Sequence, residues 1–487
     1  MMWLGTMCLV ITTAGTAMAL EHEFHGEFIG QFDSSTFNRT LTTDYNATRG
    51  GYYDPSGLKK GMDPANFFEQ RSQLTYNAKA GADLKLVTVF DLDYAYWGDR
   101  SYTAGNGSGG TTGGDLIRFV AKNVFLDYKI RENLTIKLGA MPINDPFKGV
   151  LFDANMAGVL LSGTYGVFSP SIGYFRIADK GASINKVLGA NTKDMFLFDS
   201  KFQITERLKV GAAYYFLRDG TPDGKSSVVV PAVPDTVVTE IDADGNPHDV
   251  TLAGTGSPAV TAPTYNDVAL HIMGLNAEYI RGPLTLSGFA IYETGTNNKR
   301  TTSAFAANLG AKIKNGPGTI RVEFLYVSGD QPDSGDSGAF YSAPGDHGYY
   351  ANEMAIIGRD KYALTTDNSI VYNVGNRGQG QIGGYLGYDR PFTPAFDMSF
   401  NAGFVAVAEE TAAKPFIYSE GIITGSKNRS NFLGSEFNVE ANYKVRDNLK
   451  ISLRGAYAIL GEYYKGVALQ EPPMNVYDAK LRVSYTF

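Results

Sequence analysis

Charged side chains stand at every second position in several parts of this sequence, and they are the residues that could act on a solute. Near the C-terminus, Asp478, Lys480 and Arg482 alternate with apolar and aromatic residues. Successive side chains of a β-strand point to opposite faces, so this pattern predicts a strand with one charged and one apolar face. Charge is costly in hydrocarbon and acceptable beside water. We therefore expect the charged face to line a hydrated interior.

The same alternation places charged residues on one face of strands along the whole chain. Opposed basic and acidic side chains in a lumen would set up a transverse field that orients polar solutes. They could instead only neutralise one another in ion pairs along the wall, and the sequence leaves both readings open. The residues predicted to form this wall are Arg71, Lys85, Asp91, Asp93, Arg321, Glu323, Arg377, Glu436, Glu440, Arg454, Asp478, Lys480 and Arg482.

Bond-making chemistry finds little support in the sequence. The one cysteine, Cys8, lies in the N-terminal apolar stretch, and none of the five histidines is spaced to serve a nucleophile. The glycines from Gly378 to Gly383 match a dinucleotide fingerprint but fall in an alternating strand, whereas that motif requires a helix after a strand. We therefore expect no enzyme activity, no cofactor, no catalytic residue and no metal site.

The elements that must position the charged residues are strands joined by connections of two lengths. Alternation recurs at 84–97, 396–405, 436–444, 450–457 and 474–487, and no apolar run of about 20 residues follows the N-terminus. Eight short turns alternate with nine long Gly-, Ser- and Asp-rich stretches. This predicts an all-β fold, an antiparallel up-and-down transmembrane barrel of about 18 strands, with 16 as the alternative. Both termini then lie at the end with the short turns.

The N-terminus predicts an export signal. The stretch from Trp3 to Met18 is apolar, and Ala17-Met18-Ala19 is a small-residue cleavage site. We expect cleavage after Ala19, so that residues 1–19 are a signal peptide and residues 20–487 form a single barrel domain. The formal charge of −7 gives no reason to expect nucleic-acid binding.

Two of the long connections could fold into the lumen. Residues 144–156 carry Asp145, Lys148 and Asp153 beside apolar residues, which makes these three candidates for a pore constriction. The stretch 349–357 is unusually apolar for a loop in water. In both cases the alternative is a segment packed on the rim. A third connection, 237–252, has two β-rich arms around Asp244-Gly245 and predicts a hairpin.

The A-M-A cleavage site, the terminal Phe487 and the alternation of turns and loops resemble the porin superfamily of Gram-negative outer membranes. In size the chain is similar to eighteen-stranded alginate-export-type channels. The resemblance implies an outer-membrane location with periplasmic termini, contact with lipid and lipopolysaccharide, and assembly by the barrel-assembly machinery through the C-terminal strand. It also implies small polar solutes as cargo, and a homotrimer or a periplasmic or cell-surface partner as open alternatives.

The function expected from these features is a water-filled channel for passive diffusion of small hydrophilic solutes or ions. The inward residues are slightly more basic than acidic, which favours a mild preference for anions. The alternative is a barrel that sheathes a partner, such as a multihaem cytochrome in an electron conduit.

Overall fold

The chain folds into one large β-barrel. The computed structural model describes residues 20–36, 65–98, 119–184, 186–229, 236–241, 247–252, 260–331, 335–342, 350, 352–364, 369–371, 373–409, 416–418, 421–423, 430–464 and 475–487. The barrel strands are β1 (Glu21–Ser35), β2 (Ala65–Ala80), β3 (Leu84–Tyr96), β4 (Val120–Arg131), β5 (Leu134–Asn144), β6 (Asp153–Gly163), β7 (Phe168–Asp179), β8 (Thr192–Thr205), β9 (Leu208–Asp219), β10 (Val268–Arg281), β11 (Leu284–Asn297), β12 (Arg300–Asn315), β13 (Gly318–Val327), β14 (Gln381–Thr393), β15 (Phe396–Ala406), β16 (Phe432–Arg446), β17 (Leu449–Leu460) and β18 (Val476–Thr486).

Within the described residues these eighteen strands form a single antiparallel sheet in which each strand pairs with its neighbours in the chain. The sheet closes where β1 pairs with β18, in a register that runs from Glu27 opposite Thr486 to Ser35 opposite Asp478. The prediction of an eighteen-stranded antiparallel barrel is confirmed. Closure matters because an open sheet would leave unpaired backbone groups in lipid.

The terminal aromatic residue seals this seam. Gly26 and Phe487 exchange two backbone hydrogen bonds, of 2.8 and 3.0 Å. The ring of Phe487 occupies the space where a Cβ at Gly26 would stand, 2.1 Å from the ring Cζ. A side chain at position 26 would therefore require the ring of Phe487 to move.

The two ends of the barrel differ in their connections, broadly as predicted. Short turns join the strands at the end that carries both termini, and the long connections lie at the other end. One predicted loop, 295–302, is instead a turn of two residues, Asn298 and Lys299, both with positive φ. The predicted hairpin is confirmed: Thr236–Ile241 pairs with Pro247–Leu252, and its tip lies outside the described residues.

The two faces of the wall separate as the alternation predicts on strands β16 to β18. Phe437 and Leu453 are each 56% exposed on the outside, whereas their chain neighbours Glu436 and Arg454 are fully buried on the inside. An exposed apolar outer face is the surface that a lipid layer covers.

Strands β8 to β13 depart from the predicted pattern because much of their inner face is also apolar. The outer face carries exposed residues such as Phe196, Leu275 and Phe324. The inner residues are nearly inaccessible and form a hydrophobic core inside the barrel: Met195, Leu197, Ala213, Tyr215, Leu217, Leu270, Ile272, Phe289, Ile291, Ala304, Ala306 and Leu325. Something other than water must therefore cover them.

Candidate functional site: a charged constriction between two inward segments

The first of two segments inside the barrel is the connection between β5 and β6, residues 145–152, called here the first inward segment. Asp145 shapes it, because its carboxylate accepts four backbone N–H bonds, from Phe147, Gly149, Leu151 and Phe152, at 2.6 to 3.0 Å. Burial raises the pKa of Asp145 to about 6, although the four N–H donors act in the opposite direction. Asp145 therefore stabilises the turn, because its carboxylate oxygens accept hydrogen bonds from four backbone amides of the same segment.

Apolar packing fixes this segment to the wall. Phe147, Val150, Leu151 and Phe152 are completely buried and belong to the core inside β8 to β13. A Cβ at Gly274 on β10 would stand 2.2 Å from the Phe147 ring, so the glycine leaves a notch that the ring fills. The apolar inner face of these strands is therefore explained by the segment that lies on it.

The second inward segment, residues 352–364, lies in the long connection between β13 and β14 and packs against the opposite wall. The carboxylate of Glu436 on β16 accepts the backbone N–H groups of Ala355, Ile356 and Ile357 at 2.7, 2.8 and 2.9 Å. A wall carboxylate thus supplies the acceptors that three consecutive loop amides need once they leave water.

Ion pairs hold the same segment further along. Asp360 makes a bidentate pair with Arg454 of β17 at 2.6 and 2.7 Å. Lys480 of β18 lies 3.5 Å from Asp360, 3.4 Å from Asp478, and also pairs with Asp33 of β1. Burial alone would raise the pKa of Asp360, but the positive charges of Arg454 and Lys480 prevail and lower it to about 2. Asp360 is therefore ionised and tied to the strands that close the barrel.

Tyr362 completes the attachment. The guanidinium groups of Arg454 and Arg482 lie over its ring, with their Cζ atoms 4.8 and 4.1 Å from the ring centroid. Its carbonyl accepts a 2.6 Å bond from Arg482, and its hydroxyl donates a 2.8 Å bond to Glu440. Lys361 beside it bonds the carboxylate of Glu440 at 2.9 Å. Cation–π contacts of this kind strengthen when water is excluded.

A cavity of about 460 Å³ remains between the two segments. It is bounded by both inward segments and by the inner faces of β12 to β14, with polar groups on every side. The lining residues are Asn144, Asp145, Lys148, Gly149, Asp153, Lys312, Arg321, Glu323, Asn352, Glu353, Tyr385, Leu386 and Gly387. This cavity is the candidate functional site.

Most charges at the cavity are oriented by partners. Lys148 of the first inward segment bonds Glu323 of β13 at 3.0 Å, and Glu323 also accepts a bond from the hydroxyl of Tyr350. Arg321 makes bonds of 2.6 and 2.8 Å to Asp389. Fixed charges of both signs therefore face one small water-accessible space.

Two of the charged residues that the segments carry to the cavity have unusual backbone conformations. Lys148 has φ of 61° and Glu353 has φ of 64°, in the left-handed region that disfavours residues with a Cβ. Such conformations cost on the order of 1–3 kcal/mol each and cluster at functional sites. One lies on each side of the cavity, which supports a role for this space rather than accidental packing.

The three predicted constriction residues have different positions. Lys148 and Asp153 line the cavity, Asp153 as the first residue of β6 and not as a loop residue. Asp145 also borders the cavity, but its carboxylate is bonded to the backbone of its own turn. The four N–H donors give Asp145 a structural role in its own turn, and the selection of solutes by its charge stays a prediction.

The predicted wall residues divide into three groups. Arg71 pairs with Asp91 at 3.4 Å and Lys85 with Asp127 at 3.7 Å on the inner face of β2 to β4, and Arg321 and Glu323 line the cavity. The side chains of Asp93 and Arg377 lie outside the described residues. Six residues predicted to face water are buried instead, because the second inward segment covers them: Glu436, Glu440, Arg454, Asp478, Lys480 and Arg482.

Sequence reasoning missed the partners of this covered wall, above all Asp360 and Tyr362. A usable signal exists: the apolar stretch ending at Ile357 is followed by Arg359-Asp360-Lys361, which supplies charges of both signs. A loop with an apolar stretch and a charged cluster can pack against a charged wall. The sequence contains no indication of which strands that wall comprises.

The residues that the structure describes contain neither a candidate metal-binding cluster nor a candidate membrane-spanning helix. That part of the chain holds no group of three or more His, Cys, Asp or Glu side chains able to bind a metal ion. It likewise contains no helix long and apolar enough to cross a bilayer.

Comparison with known proteins identifies the fold. No family model matches the chain, and no curated protein matches it in sequence. Among solved structures, the chain is similar to Pseudomonas aeruginosa OpdL, with a TM-score of 0.51 and 11% identity over 96% of this chain and 99% of that chain. Acinetobacter baumannii OccAB1 and the outer membrane protein opdK from Pseudomonas aeruginosa give TM-scores of 0.49 and 0.48 at 11% and 10% identity. The alignment with OccAB1 covers 96% of this chain and 96% of OccAB1. The alignment with opdK covers 96% of this chain and 98% of opdK.

The likeness to OpdL extends over nearly the full length of both chains and concerns the fold. Together with the closed sheet of eighteen strands, it shows that this protein has the fold of the outer-membrane porins.

Proposed function

We propose that this protein is an outer-membrane porin that lets small hydrophilic solutes or ions diffuse passively through a water-filled lumen. The observation that carries the proposal is the charged cavity between two inward segments of an eighteen-stranded barrel. A barrel of this size encloses more space than its side chains can fill. Segments that narrow the space while presenting fixed charges give a passage that discriminates solutes by size and charge.

Selection by the sign of charge is expected to be weak at the cavity. Its lining holds the cations Lys148, Lys312 and Arg321 and the carboxylates Asp153, Glu323 and Glu353, and also Asp145, whose oxygens accept hydrogen bonds from its own turn. We propose a permeability ratio near one, with the mild preference for anions expected from the wall as a small effect. Reversal potentials in a salt gradient test this, and a strong cation preference would contradict it.

The alternative of a barrel that sheathes a partner is less well supported. Both inward segments occupy the space that a threaded partner would need, and fully buried residues such as Phe147 and Ile356 attach them to the wall. A partner inside the barrel would have to displace this packing.

Conductance in planar bilayers tests the channel directly. We expect the purified chain to form ohmic pores, and their absence would refute the proposal. Gly310→Trp locates the passage, since a Cβ at that inner position would lie 3.4 Å from Lys148 Nζ and 3.5 Å from Glu323 Cγ. The matched variant Gly455→Trp adds the same bulk where nothing lies within 4 Å. We expect only Gly310→Trp to reduce conductance.

The location and partners of the barrel belong to the same proposal. We place it in a Gram-negative outer membrane, in contact with lipid and lipopolysaccharide, with both termini in the periplasm and assembly directed by the strand that ends at Phe487. The fold and the exposed apolar outer face support this placement. Cleavage after Ala19 concerns residues outside the described part of the chain, and N-terminal sequencing of the membrane-inserted protein tests it.

A further inference from the structure

A groove of about 790 Å³ crosses the outer face of the barrel wall on strands β14 to β18. Small outward side chains such as Ala402 and Ala479 leave room between larger ones. Among the larger ones are Phe400, Phe437 and Tyr457, which are exposed on the outside. These outward positions place the groove in the surface that a lipid layer covers and not in the lumen.

The lining and the length of this groove suit an acyl chain. Its side chains are almost all aliphatic or aromatic. Neighbouring strands lie about 4.7–4.9 Å apart, so the distance from β14 to β18 is about 19 Å. The chains of one leaflet fill half of a hydrocarbon core of about 30 Å, which is about 15 Å. A chain in the groove would gain van der Waals packing, the force that also drives association between membrane helices.

A guanidinium group stands at the β14 side of the groove. Arg390 follows Leu386 and Tyr388 on the outer face of β14 at two-residue spacing, close to the short turn after Thr393. Its Nη1 donates a 3.3 Å hydrogen bond to the hydroxyl of Tyr388, which lines the groove. Its Cζ lies 5.5 Å from the centroid of the Phe392 ring. The charge and the apolar groove are therefore in direct contact.

The positive charge of Arg390 is not neutralised by the part of the chain that the structure describes. Arginine stays protonated in proteins. Within the described residues Arg390 forms no salt bridge, and its Nε is buried without a hydrogen-bond acceptor. The adjacent Asp389 pairs instead with Arg321 on the inner face, and the residue opposite Arg390 on β15 is Met398. An anion from outside the chain would supply the missing counter-charge.

We propose that Arg390 and the groove bind one anionic phospholipid, with its phosphate on the guanidinium group and an acyl chain in the groove. The planar guanidinium group matches the oxygens of a phosphate. A zwitterionic headgroup fits less well, because its ammonium would meet Arg390 and no carboxylate among the described residues nearby. The spacing agrees with this assignment. Leu386 in the groove lies about 13 Å along the strand from Arg390, which is close to half a hydrocarbon core.

This inference rests on the proposed outer-membrane location for its biological setting. In that orientation the short-turn end, and with it the phosphate site, lies in the periplasmic leaflet. The binding itself can be measured on the folded barrel in detergent, independently of conductance.

A lipid titration followed by native mass spectrometry tests the site. The folded, delipidated barrel is titrated with dioleoyl phosphatidylglycerol, with dioleoylglycerol, which lacks the phosphate, and with inorganic phosphate, which lacks the chains. We expect one phosphatidylglycerol to bind about tenfold more tightly than dioleoylglycerol, and inorganic phosphate at equal concentration not to displace it. Arg390→Gln should weaken this first site about tenfold, and Ala402→Trp, which fills the groove, at least about threefold.

Two matched substitutions separate this site from lipid that surrounds any barrel. Arg281→Gln removes an exposed arginine at the short-turn end of β10, and Ala307→Trp adds bulk between the exposed Phe305 and Leu309 on the outer face of β12. Neither residue lines the groove. Each should change the affinity about twofold or less.

Equal affinities for the first and later lipids, or equal effects of the test and control variants, would show surrounding lipid only and overturn the inference. Displacement by inorganic phosphate would also overturn it, because the groove would then contribute nothing. The two test variants change opposite parts of the site, so either one that folds decides the outcome. A barrel that binds the lipid but forms no pore would refute the channel and leave the lipid site standing, and a conducting barrel without a preferred lipid would do the reverse.

Discussion

Removing the carboxylate of Glu323 should shift the pore strongly toward anions. A sphere of the cavity's volume, 460 Å³, has a radius of about 5 Å, so an ion at its centre lies about that far from Glu323. A unit charge at about 5 Å in water contributes about 0.8 kcal/mol, which changes the occupancy of one ion roughly fourfold. Glu323→Gln removes an attraction for cations and a repulsion of anions, and it also leaves Lys148 without its partner at 3.0 Å. Screening at about 0.1 M salt reduces the combined change in the anion-to-cation permeability ratio to about fivefold.

The assay is the reversal potential of single pores in a KCl gradient. The shift should shrink to less than about twofold near 1 M salt, where the Debye length of about 3 Å is shorter than the cavity radius. Glu278→Gln is the matched control, since Glu278 pairs with Lys209 at 3.1 Å on the inner wall but does not line the cavity. If Glu278→Gln shifted the ratio as much as Glu323→Gln, the cavity would not be the selective part of the channel.

Three further substitutions test the parts that build the site. Gly403→Leu should enlarge the conductance, because a Cβ at position 403 would lie 2.8 Å from Met354 Sδ and would push the second inward segment away. The control is Gly455→Leu. A Cβ at position 455 has open space around it, so this variant should leave the conductance unchanged. Phe147→Ala should destabilise the docked first segment by about 3–5 kcal/mol, measured as a lower urea midpoint, since it empties a fully buried site. Phe487→Ala should lower the yield of folded barrel in gel-mobility assays, because the Phe487 ring fills the space over Gly26. An unchanged yield would show that the ring has no role at the seam between β1 and β18.

Local sequence was enough to predict the barrel. Alternation such as that around Asp478 and Lys480 depends only on the two-residue repeat of a strand, and every described barrel strand pairs with a barrel strand that is adjacent to it in chain order. Turn chemistry then sets where strands end. The prediction was wrong at 295–302, where strands β11 and β12 continue to a two-residue turn, because Thr and Asn residues can extend a strand beyond the membrane as readily as they form a loop.

The site was predicted only in part. The candidates Lys148 and Asp153 do line the cavity, and a mixture of charged and apolar residues in one connection was the signal. The roles of Asp145 and Arg454 were not accessible in this way. A carboxylate bonded to backbone N–H groups and one facing a lumen look the same in sequence, as do a hydrated arginine and one buried beneath a distant loop.

The sequence by itself determined that this chain has strands with two distinct faces, and hence a closed barrel with an apolar outer surface; the apolar inner face of β8 to β13 came only from the structure. The tertiary structure decided which charges meet water. Asp360 stands 94 residues from Arg454, and Lys148 stands 175 from Glu323. No local pattern records those pairings, because they depend on where two long connections come to rest inside the closed sheet. The buried charges of β16 to β18 attach the second inward segment to the barrel wall. The charged residues that line the cavity are those that can act on a solute.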